Sequence, residues 1–220
     1  LNCYINMKLE INVPSSLNEI TLGQYQKFLE VAEKNPEGNF LNAKMIEIFC
    51  GIPLSDSYKL KVGSANQIIS ILSDMLEQKP QHVEQFSLNG VDYGFIPDLD
   101  EMSLGEYIDL DTNASKWEQM HVAMNVLYRP IKTSKVGKYN IKDYDVKYPE
   151  VMKDMPLDAA LGSLFFFYNL GMELAKHTML SLDNQAEMET IQEKQTLMQS
   201  MDGTPHSLAY HLEMLQRLTK

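Results

Sequence analysis

The chain carries one short motif twice, near its N-terminus and near its middle. Residues 17–25 read Leu-Asn-Glu-Ile-Thr-Leu-Gly-Gln-Tyr, and residues 99–107 read Leu-Asp-Glu-Met-Ser-Leu-Gly-Glu-Tyr. Because Thr and Ser favour the position before the first helical turn, each copy predicts a helix that begins at its second leucine. We expect the small glycine to admit a neighbouring backbone and the tyrosine ring to be buried, so both copies are predicted to serve the core.

The segments around the two copies follow the same order, with an offset of 82 residues between Leu17 and Leu99. Each unit is predicted to hold a β-element that ends at a proline, the helix of the motif, and two further helices. This order predicts a predominantly helical α+β fold with two pseudo-repeated units, about 7–80 and 84–182, in one duplicated domain over residues 1–182. In the first unit we expect a strand over 7–13, a helix that begins at Leu22, and further helices at 40–50 and 65–77. In the second unit we expect a β-hairpin over 86–96 with its turn at Asn89-Gly90, a helix that begins at Leu104, and further helices at 116–128 and 156–177.

Residues 183–220 differ from the rest because they are polar and rich in glutamine. The segment Asp202-Gly203-Thr204-Pro205 predicts the end of one helix and the start of another, which together form a C-terminal amphipathic αα-hairpin. Its apolar stripe is interpreted either as a partner-binding face or as methionine filling of a helical core. The residues predicted to bind a partner are Met188, Ile191, Met198, Met201, Leu208, Leu212 and Leu215.

The charge of the chain argues against two classes of partner. The formal net charge is −11 and the isoelectric point is near 4.9. Nucleic acid and anionic membranes require clustered Lys and Arg, so we predict neither as a partner. The longest uncharged stretch, 159–172, has 14 residues, which is shorter than the roughly 20 needed to span a bilayer.

The charge is also unevenly distributed along the chain. Residues 84–118 carry a net charge of −8, and residues 129–153 carry +4. One interpretation is that both are solvated surfaces. The alternative is that a negative surface meets a positive surface on a second copy or another partner, so a homo-oligomer stays open.

The sequence shows no pattern typical of catalysis or of metal binding. The acidic stretch 98–111 lacks the order of ligands of a calcium loop, and the five histidines lack the i, i+4 spacing of a helical metal site. Cys3 and Cys50 offer no metal or disulfide framework, and Cys50 is interpreted as a buried thiol. We therefore predict no catalytic residues, no cofactor and no metal. An enzyme with coupled carboxylates around Asp98 to Asp111 is the less favoured alternative.

The N-terminus has no basic region followed by an apolar run, so we do not expect a secretion signal. The chain begins with Leu, and Met7 is a plausible start. Residues 1–6 are therefore interpreted as the product of an alternative start codon or of a misjudged reading frame.

Four groups of segments carry a resemblance to a known class of proteins. The segments are Tyr93-Gly-Phe-Ile-Pro-Asp-Leu, Ser103-Leu-Gly-Glu-Tyr-Ile-Asp-Leu, Val126-Leu-Tyr-Arg-Pro-Ile, and Met155-Pro-Leu with Phe165-Phe-Phe-Tyr-Asn-Leu. They resemble uncharacterised proteins of tailed bacteriophages that occur among virion and tail-assembly genes and that are associated with tail assembly chaperones. The resemblance covers residues 7–182 and carries no catalytic residues; the C-terminal hairpin lies outside it.

This resemblance implies a non-enzymatic phage protein that binds other virion or tail proteins during assembly. We expect such a protein in the host cytoplasm during infection. The alternative is a permanent component of the virion, at the head–tail connector or neck, in which the two oppositely charged segments join neighbouring copies.

Overall fold

The computed structural model describes residues 11–135, 138–147 and 149–170. Helices come first and last along these residues, and an antiparallel sheet lies between them, so the predicted α+β class with mainly helical content is confirmed. Among the described residues, we find no helix whose length and apolar content would let it cross a membrane.

In the N-terminal part, local signals mark the start of the first helix and the end of the second. The Thr21 side chain accepts the N–H of Gln24 at 3.1 Å while the Gln24 side chain accepts the N–H of Thr21 at 2.9 Å, which forms a capping box. Gly51 ends the second helix with a left-handed φ of 68°. The helices are α1 (Leu22–Lys34), α2 (Asn39–Cys50), α3 (Leu54–Ser57) and α4 (Val62–Leu76), preceded by a 3-10 turn at Leu17–Glu19.

The sheet has four strands in the order β1-β2-β3-β4, all antiparallel. Asn89 and Gly90 have φ of 52° and 77°, the positive values that a tight hairpin turn needs, so the predicted hairpin is confirmed. Beyond Pro130 the third strand pairs with the fourth alone, and the two form a two-stranded ribbon. The strands are β1 (Gln85–Leu88), β2 (Val91–Phe95), β3 (Tyr128–Lys135) and β4 (Lys138–Ile141).

The second half of the described chain has three helices, two between β2 and β3 in the sequence and one after β4. The Ser103 side chain accepts the N–H of Glu106 at 3.3 Å and Glu106 accepts the N–H of Ser103 at 2.7 Å, so the second copy of the motif also begins with a capping box. The helices are α5 (Leu104–Ala114), α6 (Met120–Leu127) and α7 over 157–170; 3-10 turns occupy Trp117–Gln119 and Pro149–Asp154.

The hydrophobic core joins the first helices to the sheet and to α7. Tyr128 lies fully buried at its centre, with its hydroxyl 2.5 Å from the Val83 carbonyl and 2.8 Å from Ser163 Oγ. Gly162 of α7 packs so tightly on the 81–82 backbone that a Cβ there would collide with the Gln81 carbonyl. The sheet and α7 are therefore fixed to one another at the backbone level.

A short β-bridge joins two parts of the core that are far apart in the sequence. Thr21 pairs with Pro156, and on either side the Leu22 N–H donates to the Met155 carbonyl and the Leu157 N–H donates to the Ile20 carbonyl, each at 2.9 Å. The starts of α1 and α7 are thus held together although about 135 residues separate them along the chain.

The two predicted units do not match in detail. Residues 11–13 are not a strand, so that part of the predicted first β-element is wrong, and residues 7–10 lie outside the described residues. The second unit has the β3–β4 ribbon between its second and third helices, where the predicted unit has no element. The predicted helix starts after Thr21 and Ser103 are confirmed by the two capping boxes, and the duplication itself stays a prediction.

Candidate functional site: an apolar groove beside the fifth helix

One concave surface among the described residues is a groove of about 620 Å³. Its walls come from α5, α6, α7 and the segment that leads into α5. This volume lies within the range of ordinary ligand and peptide pockets. The lining residues are mostly apolar: Leu99, Met102, Leu104, Tyr107, Leu110, Asp111, Ala114, Trp117, Met120, Met124, Leu127, Leu164, Phe167 and Tyr168.

The open side of the groove is formed by α5. Leu104 is 74 % exposed, Tyr107 57 % and the neighbouring Ile108 52 %. Residues 104, 107 and 108 share one face of a helix because they are three and four positions apart. Three large apolar side chains therefore present a continuous exposed face, which is unusual enough in a folded domain to indicate a contact surface.

The first turn of α5 is fixed by a polar contact on its buried side. Glu106 belongs to the capping box and also accepts from Arg129, whose Nη1 lies 2.7 Å from Glu106 Oε1. Both side chains are largely buried. Because Glu106 points inward, Leu104, Tyr107 and Ile108 are held outward, and the apolar face is a fixed feature of the fold.

The second Leu-Gly-x-Tyr motif thus has a different role from the first. In α1, Leu22 and Tyr25 are fully buried, which confirms the core prediction for the first copy. In α5 the equivalent Leu104 and Tyr107 are exposed, so the core prediction for the second copy is wrong. The physical difference is a neighbour: the Lys153 backbone covers α1, whereas nothing lies within 4 Å of a Cβ built at Gly105.

Acidic side chains lie in the lining of the groove or next to lining residues in the sequence. Asp98, Asp100, Glu101 and Asp111 are exposed, and Asp111 lines the groove itself. The Tyr144 hydroxyl donates to Asp109 Oδ2 at 2.9 Å, and burial together with that carboxylate raises the pKa of Tyr144 to about 12. The groove therefore has an apolar floor and a negative rim, a combination suited to an apolar segment with basic ends.

The acidic residues do not converge on a common point. Across residues 11–135, 138–147 and 149–170, no three His, Cys, Asp or Glu side chains are placed to hold a metal ion together. Cys50 is half-buried, and burial raises the pKa of its thiol to about 11. Its thiolate is disfavoured at neutral pH.

The two described histidines serve packing contacts. His82 lies between the rings of Phe95 and Phe166, with centroid distances of 4.6 and 4.9 Å. His121 is buried, with Nδ1 3.2 Å from Gln26 Nε2 and Nε2 3.3 Å from Glu150 Oε1. Burial lowers the pKa of both imidazoles, in His121 with help from the Lys153 charge, so both are neutral at pH 7.

The residues predicted to bind a partner lie outside the described residues. Met188, Ile191, Met198, Met201, Leu208, Leu212 and Leu215 all follow residue 170, as does the predicted hairpin over 183–220. The groove was missed because its residues have the spacing of an ordinary core helix. A local pattern shows that Leu104, Tyr107 and Ile108 share a face, but not that this face lacks a neighbour.

Comparison of the chain with protein-family models, with curated proteins and with solved structures finds no match. The geometry and chemistry of the groove are therefore the basis for a functional proposal.

Proposed function

We propose that this chain is a non-enzymatic bacteriophage assembly protein that uses the α5 groove to bind an apolar helical segment of another virion protein. One observation carries the proposal: a groove of about 620 Å³ with an apolar floor lies beside an exposed face of Leu104, Tyr107 and Ile108. Its mostly apolar lining suits an amphipathic helix better than a small polar substrate.

The energetics favour protein binding. Burying a fully exposed large apolar side chain contributes about 2 kcal/mol. Leu104, Tyr107 and Ile108 are all at least half exposed, so a partner that covers them gains from each of the three. A bound segment would also be shielded from water along its own apolar face. Such shielding is the property that an assembly chaperone needs for a tail component before polymerisation.

The phage context is supported by the resemblance described above. The segments that carry it include much of the groove wall: Leu99, Leu104, Tyr107 and Leu110 come from the first two segments, and Phe167 and Tyr168 come from the last. Met188, Ile191, Met198, Met201, Leu208, Leu212 and Leu215 stay a prediction as a further contact surface.

A site-specific cross-link tests the proposal. A photoreactive amino acid replaces Ile108 in the full-length protein, which is produced in host cells during infection, and adducts are identified by mass spectrometry. The matched control places the same amino acid at Val62, which is 76 % exposed on α4 and does not line the groove. We expect a virion protein to be joined at position 108 only. Equal labelling at the two positions, or no adduct at 108, contradicts the proposal.

A second candidate is a permanent virion component at the head–tail connector or neck. The β3–β4 ribbon favours it, because Lys132, Lys135 and Lys138 in this ribbon and Lys142 directly after it are exposed on an otherwise acidic chain. Such a ribbon suits contact with an acidic surface of a neighbouring copy. Mass spectrometry of purified particles separates the two: a chaperone is absent from them, and a structural subunit is present at a fixed copy number.

A further inference from the structure

The α5 groove is open in the described part of the chain, although its face is apolar enough to need a cover. Leu104 is the most exposed of the described leucines, and it shares a helix face with Tyr107 and Ile108. In water such a face attracts the nearest amphipathic segment. On the premise that the groove binds an apolar helix, as proposed above, we propose that residues 204–220 of the same chain occupy it until a partner displaces them.

The chain between residue 170 and this segment is long enough for the segment to reach the groove. The described part ends at residue 170, two residues after Tyr168, which itself lines the groove together with Leu164 and Phe167 of α7. Between that point and residue 204 lie the 33 residues 171–203. Even a helical chain rises about 1.5 Å per residue, so this connection is long enough to return to a site formed in part by α7.

The apolar pattern of the segment matches what a groove of this kind accepts. Leu208, Leu212 and Leu215 are spaced at i, i+4 and i+7. This is the spacing with which an amphipathic helix places successive side chains in a hydrophobic groove. Pro205 and Thr204 supply the start of such a helix.

Charge selects this segment over the other half of the predicted hairpin. Residues 204–220 carry Arg217 and Lys220 against Glu213, whereas residues 183–201 carry four acids against Lys194. Asp111 lines the groove, and the exposed Asp98, Asp100 and Glu101 are sequence neighbours of its lining residues Leu99 and Met102. The last segment is therefore attracted and the preceding one is repelled. Residues 204–220 and a partner segment compete for the same groove, so the apparent affinity for the partner depends on how tightly residues 204–220 bind.

The test uses the full-length chain and two matched substitutions, Leu212→Glu and Ile191→Glu. Each puts an acid into one of the two apolar stripes. Trp117 lines the groove and is the single tryptophan of the chain, so its fluorescence reports on the site. We expect L212E to shift the emission of Trp117 and to speed amide hydrogen exchange in α5 several-fold, and I191E to change neither. An unchanged signal in L212E, or an equal change in I191E, overturns the inference.

A cross-link gives an independent readout. The pair Ile108→Cys and Leu212→Cys is introduced with Cys3 and Cys50 replaced by serine. We expect an oxidised product in which both cysteines belong to one chain, at a yield that does not depend on protein concentration. A disulfide between two chains shows that a second copy is the occupant, and no disulfide shows that the segment lies elsewhere; either result overturns the inference. Neither result bears on the photo-cross-link at position 108, so failure here is distinguishable from failure of the proposed function.

Discussion

Arg129 and Glu106 form a buried ion pair that joins β3 to α5. Nη1 of Arg129 lies 2.7 Å from Oε1 of Glu106, and each side chain is 10 % exposed. The same carboxylate accepts the Ser103 N–H, so one side chain both caps α5 and joins it to β3. Burial alone would raise the pKa of Glu106, but the hydrogen bonds from Ser103 and the Arg129 charge outweigh it and lower that pKa.

Replacing Arg129 with methionine should therefore destabilise the protein by about 3 kcal/mol, because it leaves a buried carboxylate without its cation. The matched control is Lys34→Met, which breaks the Lys34–Glu30 pair, whose side chains are 66 % and 63 % exposed. We expect that change to stay within about 0.5 kcal/mol. Urea denaturation of both variants measures the two losses, and losses of equal size would contradict the structural role of the buried pair.

Replacing Tyr128 with phenylalanine should cost about 1 to 2 kcal/mol. Its hydroxyl contacts the Val83 carbonyl and Ser163 Oγ in the centre of the core, and the change leaves buried polar atoms without a partner. Tyr58→Phe is the control because Tyr58 is 57 % exposed, and we expect almost no change there. Thermal or chemical denaturation checks both. An unchanged free energy of unfolding for Tyr128→Phe would contradict this prediction and would show that water replaces the missing hydroxyl.

The buried His121 should make stability depend on pH. Burial lowers its pKa below the ordinary 6.5, so the unfolded chain binds a proton more readily than the folded one. The resulting stability is present above pH 6.5 and is lost as the pH falls through the lowered pKa of the folded state. His121→Gln should reduce the loss of unfolding free energy between pH 7 and pH 5.

The range from pH 7.5 to 8.5 is the internal control, because histidine does not titrate there and the two proteins should then differ by a constant amount. The His121→Gln variant retains a residual pH dependence from His82, whose pKa burial also lowers. Parallel curves for wild type and His121→Gln down to pH 5 would show that His121 does not contribute.

The two glycines of the repeated motif should respond differently to alanine. A Cβ at Gly105 meets nothing within 4 Å, so Gly105→Ala should stabilise the protein by about 0.5 kcal/mol through the restricted unfolded chain. A Cβ at Gly23 would lie 3.0 Å from the Lys153 carbonyl oxygen. Gly23→Ala should therefore be at least about 1 kcal/mol less stable than Gly105→Ala. Equal values by urea denaturation would show that the two helices have equivalent surroundings.

The features predictable from sequence are those set by neighbouring residues. Thr21 and Ser103 begin their helices because each capping box closes within four residues, and Asn89-Gly90 makes its turn for a similarly local reason. Gly51 ends α2 because it can adopt a left-handed conformation.

The features that sequence reasoning missed depend on distant neighbours. Residues 135–148 carry alternating lysines and tyrosines, which favour an ordered surface loop or a short extended arm. In the structure β4 pairs with β3, and the Tyr139 hydroxyl also donates to the Phe95 carbonyl at 2.8 Å. The groove was missed for the same reason. Leu22 and Leu104 look equivalent in sequence, and only the packing of Lys153 against α1 makes them differ.

The bridge between Thr21 and Pro156 has a consequence for how the chain is made. The first residues of α1 find their backbone partners only when residues 155–157 are available, late in translation. Until those residues leave the ribosome, the apolar faces of the N-terminal helices stay incompletely covered, and contacts so distant in sequence form slowly. The nascent chain therefore passes through a period in which it is itself vulnerable to aggregation, and that period ends with the synthesis of α7.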